Sequence, residues 1–209
     1  PAAPAAPAAA VPTPVPAAKP APVPTVNPGK LTWMIAGWGN ERFAYNWAVG
    51  GGNNFGRILH GFLIATNAKA ELIPGIASKW EISKDGKTWT FTIRQGAKFH
   101  DGKEITAEDV WWTWMNNWGK DESGSALERV TQASAQALAR NVDRIELVTH
   151  DQVSITRKSA DAGFPAAYVS EAAGNWYGVL PRRPKVHDAP QEAAYDKNPI
   201  AAGPGKLLK

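Results

Sequence analysis

Two Asp-Gly pairs, Asp85-Gly86 and Asp101-Gly102, cut the stretch from Pro74 to Trp118 into pieces that leave few folds open. Asp-Gly favours tight reversals, because glycine has no Cβ to clash at positive φ and aspartate tolerates the left-handed region. Before the first pair, Trp80 and Ile82 alternate with Lys79, Glu81 and Ser83, the period of a half-buried strand. After it, Trp89, Phe91 and Ile93 alternate with Thr88, Thr90, Thr92 and Arg94, so a hairpin over 79–94 with one core face is expected. Beyond the second pair, Thr106-Ala107-Glu108-Asp109 has the form of a capping box, which satisfies orphan amides and places acid where the helix dipole favours it. Ala107, Val110, Trp111, Trp114 and Trp118 then recur at helical spacing, and Gly119 supplies a stop.

The same reasoning extends along the chain. Residues 1–29 are almost entirely Pro, Ala, Val and Thr, a composition that builds no core and prefers extended polyproline II, so they form a linker. From residue 30 the chain turns globular: Leu31–Ile35 predicts a short buried strand running into the loop Ala36-Gly37-Trp38-Gly39-Asn40. Gly50-Gly51-Gly52 is a loop without the spacing of a phosphate-binding motif. Asn54 is placed to cap a helix carrying Phe55, Ile58, Leu59 and Phe62, and Ser125 with Glu128 to cap an Ala-rich helix reaching about Arg140. Ile145, Leu147 and Thr149 against Val153, Ile155 and Arg157 predict a second hairpin. The fold class is mixed α/β (α+β), with β-hairpins packed on helices.

Several function classes fall away. The 23 basic and 19 acidic residues are dispersed, and the one dense basic patch, Arg182-Arg183 with Lys185, predicts a solvated loop rather than a nucleic-acid footprint. With no cysteine, disulfides, thiolate metal sites and a Cys nucleophile are excluded. His60, His100, His150 and His187 lie far apart, without metal-ligand spacing, and His100 predicts a turn residue, with a cleft or pH-sensing role as the alternative. Glu108 and Asp109 are adjacent and point to different sides of a helix, so they are no acid-base pair. No catalytic, cofactor or metal constellation emerges, and the chain is not expected to be an enzyme. No apolar run reaches the roughly eighteen residues of a membrane span. The chain opens on Pro1, which is no initiator, so a segment upstream is expected. The ten Trp residues fill a core or line a ligand cleft; both readings stay open.

The ordered run from Trp80 through Ser83, Asp85-Gly86-Lys87-Thr88-Trp89-Thr90-Phe91-Thr92-Ile93-Arg94, Gly96, Lys98-Phe99-His100-Asp101-Gly102-Lys103 and Ile105-Thr106-Ala107-Glu108-Asp109-Val110 resembles the signature of extracytoplasmic solute-binding proteins of the peptide, opine and nickel class, the receptors of ABC importers. Pro74, Ala77 and Trp80 match its lead-in, with Ile76 where the family has Leu. The resemblance implies a periplasmic-binding-protein-like type II fold in which two lobes close over a solute, residues 30–209 being an incomplete first lobe and the second lobe following later. It implies a small peptide or similar solute as ligand, ABC transporter permease subunits as partners, no nucleic acid, and an extracytoplasmic, lipid-anchored protein tethered through residues 1–29. It also sets the loop after the first strand at the cleft, which nominates Trp38, Gly39 and Asn40 as ligand-binding residues. Two departures stand out: Lys120–Ala126 carries no aromatic for ligand stacking, and in the run Asn198–Leu207 the residues Ala201, Ala202 and Gly205 replace Gly, Thr and Tyr. An accessory, membrane-tethered subunit that keeps the lobe without transport activity is the alternative.

Overall fold

The computed structural model describes residues 56–121, 123–125, 140–170, 178–183, 194–195 and 197–206. The chain divides into two units, Pro1–Met34 and Ile35–Lys209, and every described residue belongs to the second. The linker, the Leu31–Ile35 strand, the Asn54 cap and most of the helix expected after Ser125 lie outside the described residues.

The first hairpin forms as its alternation demands. β3 (Ala77–Ile82) pairs antiparallel with β4 (Thr88–Ile93), Trp80 opposite Phe91 and Ile82 opposite Trp89. Two shorter strands precede it, β1 (Ile64–Thr66) and β2 (Leu72–Pro74), paired with each other across a turn in which the Asn67 side chain accepts from the amides of Lys69 and Glu71. At the first reversal Gly86 alone takes the left-handed conformation (φ 71°), donating its N–H to Ser83 O. Asp85 contributes through its carboxylate instead, accepting from the Lys87 amide at 3.1 Å and the Ser83 hydroxyl at 2.5 Å. The second reversal repeats the device: Gly102 (φ 90°) donates to Phe99 O, and Asp101 accepts from the Lys103 amide.

β4 does not stay an edge. β5 (Val142–Thr149) and β6 (Gln152–Arg157) make the second hairpin, Ile145 opposite Ile155 and Leu147 opposite Val153, and β6 then pairs antiparallel with β4. The sheet order is β3-β4-β6-β5, which makes β6 an inner strand whose residues from Val153 to Arg157 are all buried. Trp89, Phe91 and Ile93 are buried as the alternation predicts. Trp80 and Ile82 share that face but stand on an outer strand, so Trp80 is half-buried and Ile82 is 36% exposed. Full burial of a side chain such as Phe91 stabilises by about 1.5–3 kcal/mol relative to exposure.

Helix α1 (Ala107–Trp118) begins at Thr106, whose hydroxyl accepts from the Asp109 amide at 3.3 Å while Asp109 Oδ2 accepts from the Thr106 amide at 2.9 Å. It ends at Gly119, left-handed at φ 76°, with the Lys120 amide reaching back to Met115 O. Val110, Trp114 and Trp118 join Phe91, Ile145, Val153 and Ile155 in one buried cluster. The sequence pattern predicts a single apolar face, yet Trp112, Thr113, Asn116 and Asn117 are buried as well. The segment 178–183 lies against that second side, its Leu180 amide donating to Thr113 Oγ1 at 3.0 Å. Among the described residues, Trp89, Trp112, Trp114 and Trp118 are buried, while Trp80 and Trp111 pack against the core.

One helix ends sooner than expected. Residues 56–59 are helical, but the chain has left the helix before Phe62, and at Gly61 it forms an antiparallel bridge in which Gly61 O accepts a 2.7 Å bond from the Val179 amide. A π-helical turn, Pro165–Val169, has no counterpart in the sequence reading.

Candidate functional site

Four separated segments meet where the helical turn 56–59 ends. Gly203 donates to Leu59 O at 2.8 Å and Gly205 to Ile58 O at 3.0 Å, which lays residues 203–205 along that turn. The approach needs glycine: a Cβ at Gly203 would stand 2.6 Å from Leu59 O, and one at Gly178 would stand 2.5 Å from His60 Cβ. His100 is indeed a turn residue, and it also clamps this segment. Its amide donates to Ala201 O at 2.7 Å, and Nε2 lies 2.8 Å from Gly203 O, so Nε2 carries the proton in that contact. Ala201 is fully buried and its backbone is not left-handed, so the alanine that departs from the family pattern brings no positive-φ strain.

Beside this junction lies a depression of about 370 Å³. Gly61, Phe62, Gly75, Ile76, Ala202 and Gly203 are among its lining residues, and Arg57, Arg94 and Lys98 bring three cationic side chains to it. None of the described lining residues is acidic. No local motif could have announced this site, because its charges come from segments that only the fold brings together.

The basic patch is a loop, as expected, with Arg182 exposed and Lys185 outside the described residues, but the loop is tied to helix α1. The Arg182 amide donates to Asp109 Oδ1 at 2.7 Å, and its guanidinium donates to Glu108 Oε2 at 3.3 Å. Glu108 is exposed and Asp109 buried, so the two diverge as expected, yet both engage Arg182, one at its guanidinium and the other at its backbone amide. Arg183 lies between two rings, 5.3 Å from the Trp112 centroid and 4.9 Å from that of Tyr195, and Tyr195 stacks on His60 at 6.4 Å. This column of Trp112, Arg183, Tyr195 and His60 links the buried side of α1 to the wall of the depression. Trp38, Gly39 and Asn40, the residues nominated for ligand binding, lie outside the described residues. Among the described residues no three His, Asp or Glu side chains gather as a metal site would require, and no helix is long and apolar enough to cross a membrane.

Comparison with known proteins gives one answer. The dipeptide-binding protein of Escherichia coli (strain K12) is 32% identical over 153 residues, an overlap of 66% of this chain and 27% of that protein. The oligopeptide-binding protein OppA of Bacillus subtilis (strain 168) is 33% identical over 127 residues, covering 59% of this chain and 23% of the relative. The chain thus spans about a quarter of the length of these curated relatives. Among solved structures, the oligopeptide-binding protein AppA from Bacillus subtilis, in complex with a nonapeptide, superimposes with a TM-score of 0.61 at 24% identity over 80% of this chain and 31% of that one. Haemophilus influenzae OppA in complex with RPPGFSPFR gives 0.62 at 20% identity, over 81% of this chain and 34% of that one. These likenesses show the fold, a partial type II periplasmic-binding-protein architecture with antiparallel sheets. The model of the bacterial extracellular solute-binding proteins, family 5 Middle, matches residues 71–208, a span that holds both Asp-Gly reversals, the capped helix and the second hairpin. With the family model matching residues 71–208, two thirds of its length, the chain belongs to the bacterial extracellular solute-binding proteins, family 5.

Proposed function

We propose that this chain is part of the substrate-binding receptor of an ABC importer for peptides or similar solutes. The observation that carries the reading is the family match over residues 71–208, which coincides with the hairpin and capped-helix unit of the fold. Peptide-binding relatives support peptide as the solute class. In this reading residues 30–209 supply part of the first lobe, and the loop bearing Trp38, Gly39 and Asn40 faces the solute. A second lobe closes on it by hinge motion, and the closed form docks on permease subunits. Residues 1–29 act as the stalk that tethers the lobe outside the cytoplasmic membrane, through a lipid anchor or a preceding segment; an extended Pro-rich chain spans distance without a core.

Expression from the full reading frame of the gene, followed by Trp fluorescence and calorimetric titration with di-, tri- and nonapeptides, tests this. Saturable peptide binding that weakens about tenfold in Trp38→Ala is the expected result, the loss of one aromatic contact in a cleft. A folded protein that binds no peptide, opine or metal chelate would instead favour the accessory-subunit reading.

A further inference from the structure

Arg57, Arg94 and Lys98 reach the depression from three segments: the helical turn 56–59, the turn in which the Ala97 amide bonds to Arg94 O, and the bridge between Lys98 and Glu104. Among the described residues Lys79, Lys103, Arg144, Arg157 and Arg182 each stand between 2.8 and 3.7 Å from a carboxylate. The three around the depression form no such pair. Glu104, joined to Lys98 by an isolated backbone bridge, accepts the Gly96 amide at Oε1, at 2.8 Å, and is not among the described lining residues. The described lining residues bring three cations and no anion into one concavity, where low-dielectric walls concentrate the field. Gly61, Gly75 and Gly203 are among the lining residues, where segments pack too closely for a side chain: a Cβ on Gly61 would stand 2.8 Å from Ile76 Cδ1, and one on Gly75 would run into Phe62 O.

We propose that this depression is a binding site for an oxyanion, a phosphate or carboxylate group carried by a small solute, held by Arg57, Arg94 and Lys98. Two guanidinium forks match the planar or tetrahedral oxygens of such a group, and the ammonium adds a point charge. About 370 Å³ admits the oxyanion together with part of the molecule bearing it. The site needs neither a second lobe nor a permease, so it stands or falls apart from the importer reading.

The test is a titration of the 209-residue chain with sodium phosphate, and separately with sodium acetate, at constant ionic strength set by sodium chloride. The amides of Gly61, Gly75 and Gly203 are followed by proton-nitrogen correlation spectra. Saturable shifts with either oxyanion support the site, and the one that saturates at lower concentration identifies whether phosphate or carboxylate is its source. Arg94→Gln and Lys98→Gln, both at exposed positions, are each expected to weaken binding about tenfold, the loss of a charge-assisted hydrogen bond. Shifts that chloride reproduces, or variants that titrate like the parent while giving dispersed spectra, would overturn the proposal.

Discussion

Asp109 holds two parts of the chain at once: Oδ2 accepts the Thr106 amide at 2.9 Å, and Oδ1 accepts the Arg182 amide at 2.7 Å across 73 positions of sequence. A single carboxylate therefore starts helix α1 and pins the segment that covers its second side. Asp109→Ala should remove both, at a cost of about 2–4 kcal/mol from the lost cap and the lost charge-assisted bond together. Asp109→Asn keeps one acceptor oxygen and should cost less than half as much. Urea unfolding followed by circular dichroism ranks the two, and equal losses would refute the dual role.

The fit at Gly203 gives a second expectation. Gly203→Ala brings a Cβ to within 2.6 Å of Leu59 O, which is backbone and has no rotamer to yield. Destabilisation of about 1–3 kcal/mol is expected, as for other overpacked sites. Gly163→Ala is the control: its Cβ would meet only Asp161 Oδ1, at 3.4 Å, and should change stability by less than about 0.5 kcal/mol.

Arg157 is 5% exposed, stacked on Phe164 at 4.8 Å and paired with Asp161 at 3.2 Å. Its Nε and Nη1 have no hydrogen-bond partner, so its desolvation is only partly offset. Removing the carboxylate in Asp161→Ala strands a buried cation and should cost about 2–4 kcal/mol. Arg157→Met, which fills similar space without charge, should cost markedly less. A thermal melt in which Arg157→Met is the worse of the two contradicts this account.

Acid should erode the turns before the core. The Ser83 hydroxyl, with the Lys87 amide, holds Asp85 below the ordinary carboxylate value of 3.8; the Ser123 hydroxyl does the same for Asp121 and the Thr149 hydroxyl for Asp151. A carboxyl depressed in the folded state contributes stability that is present above about pH 4 and is lost as pH falls through its folded value. Stability should therefore be flat above that point and fall below it. Asp85→Asn, Asp121→Asn and Asp151→Asn combined should flatten the acid limb of a denaturation series run from pH 6 to pH 2; an unchanged limb would exclude these turns as its source.

What the sequence made legible is local. The Trp89, Phe91 and Ile93 alternation, the Gly86 and Gly102 turns and the Thr106 cap each depend on residues a few positions apart, and each is found where the pattern puts it. The burial of Trp112 and Asn116, the partial exposure of Ile82 and the arrest of the helix before Phe62 depend on which distant segment lies alongside, a matter that periodicity does not encode. The same holds for the depression. Arg57, Arg94 and Lys98 carry no shared motif, and the bonds of residues 201–205 to Ile58, Leu59 and His100 bring their segments together. The ties that Arg182 and Arg183 make were not legible either, because a basic pair read in isolation has no visible Asp109 or Trp112 beside it.

The order of strands has a consequence for biogenesis. β4 is joined on one side to β3 by a turn of a few residues, but its other neighbour is β6, and the contact between Thr92 and Gln152 spans 60 residues. A polypeptide emerging from a ribosome or a translocation channel completes its first hairpin early, and β4 then presents an unsatisfied row of amides and carbonyls until Arg157 has cleared the exit. For that interval helix α1, made in between, has only half a floor to rest on. Nascent-chain protection is accordingly needed most between synthesis of Trp118 and of Arg157, the window in which a holding chaperone would find its target.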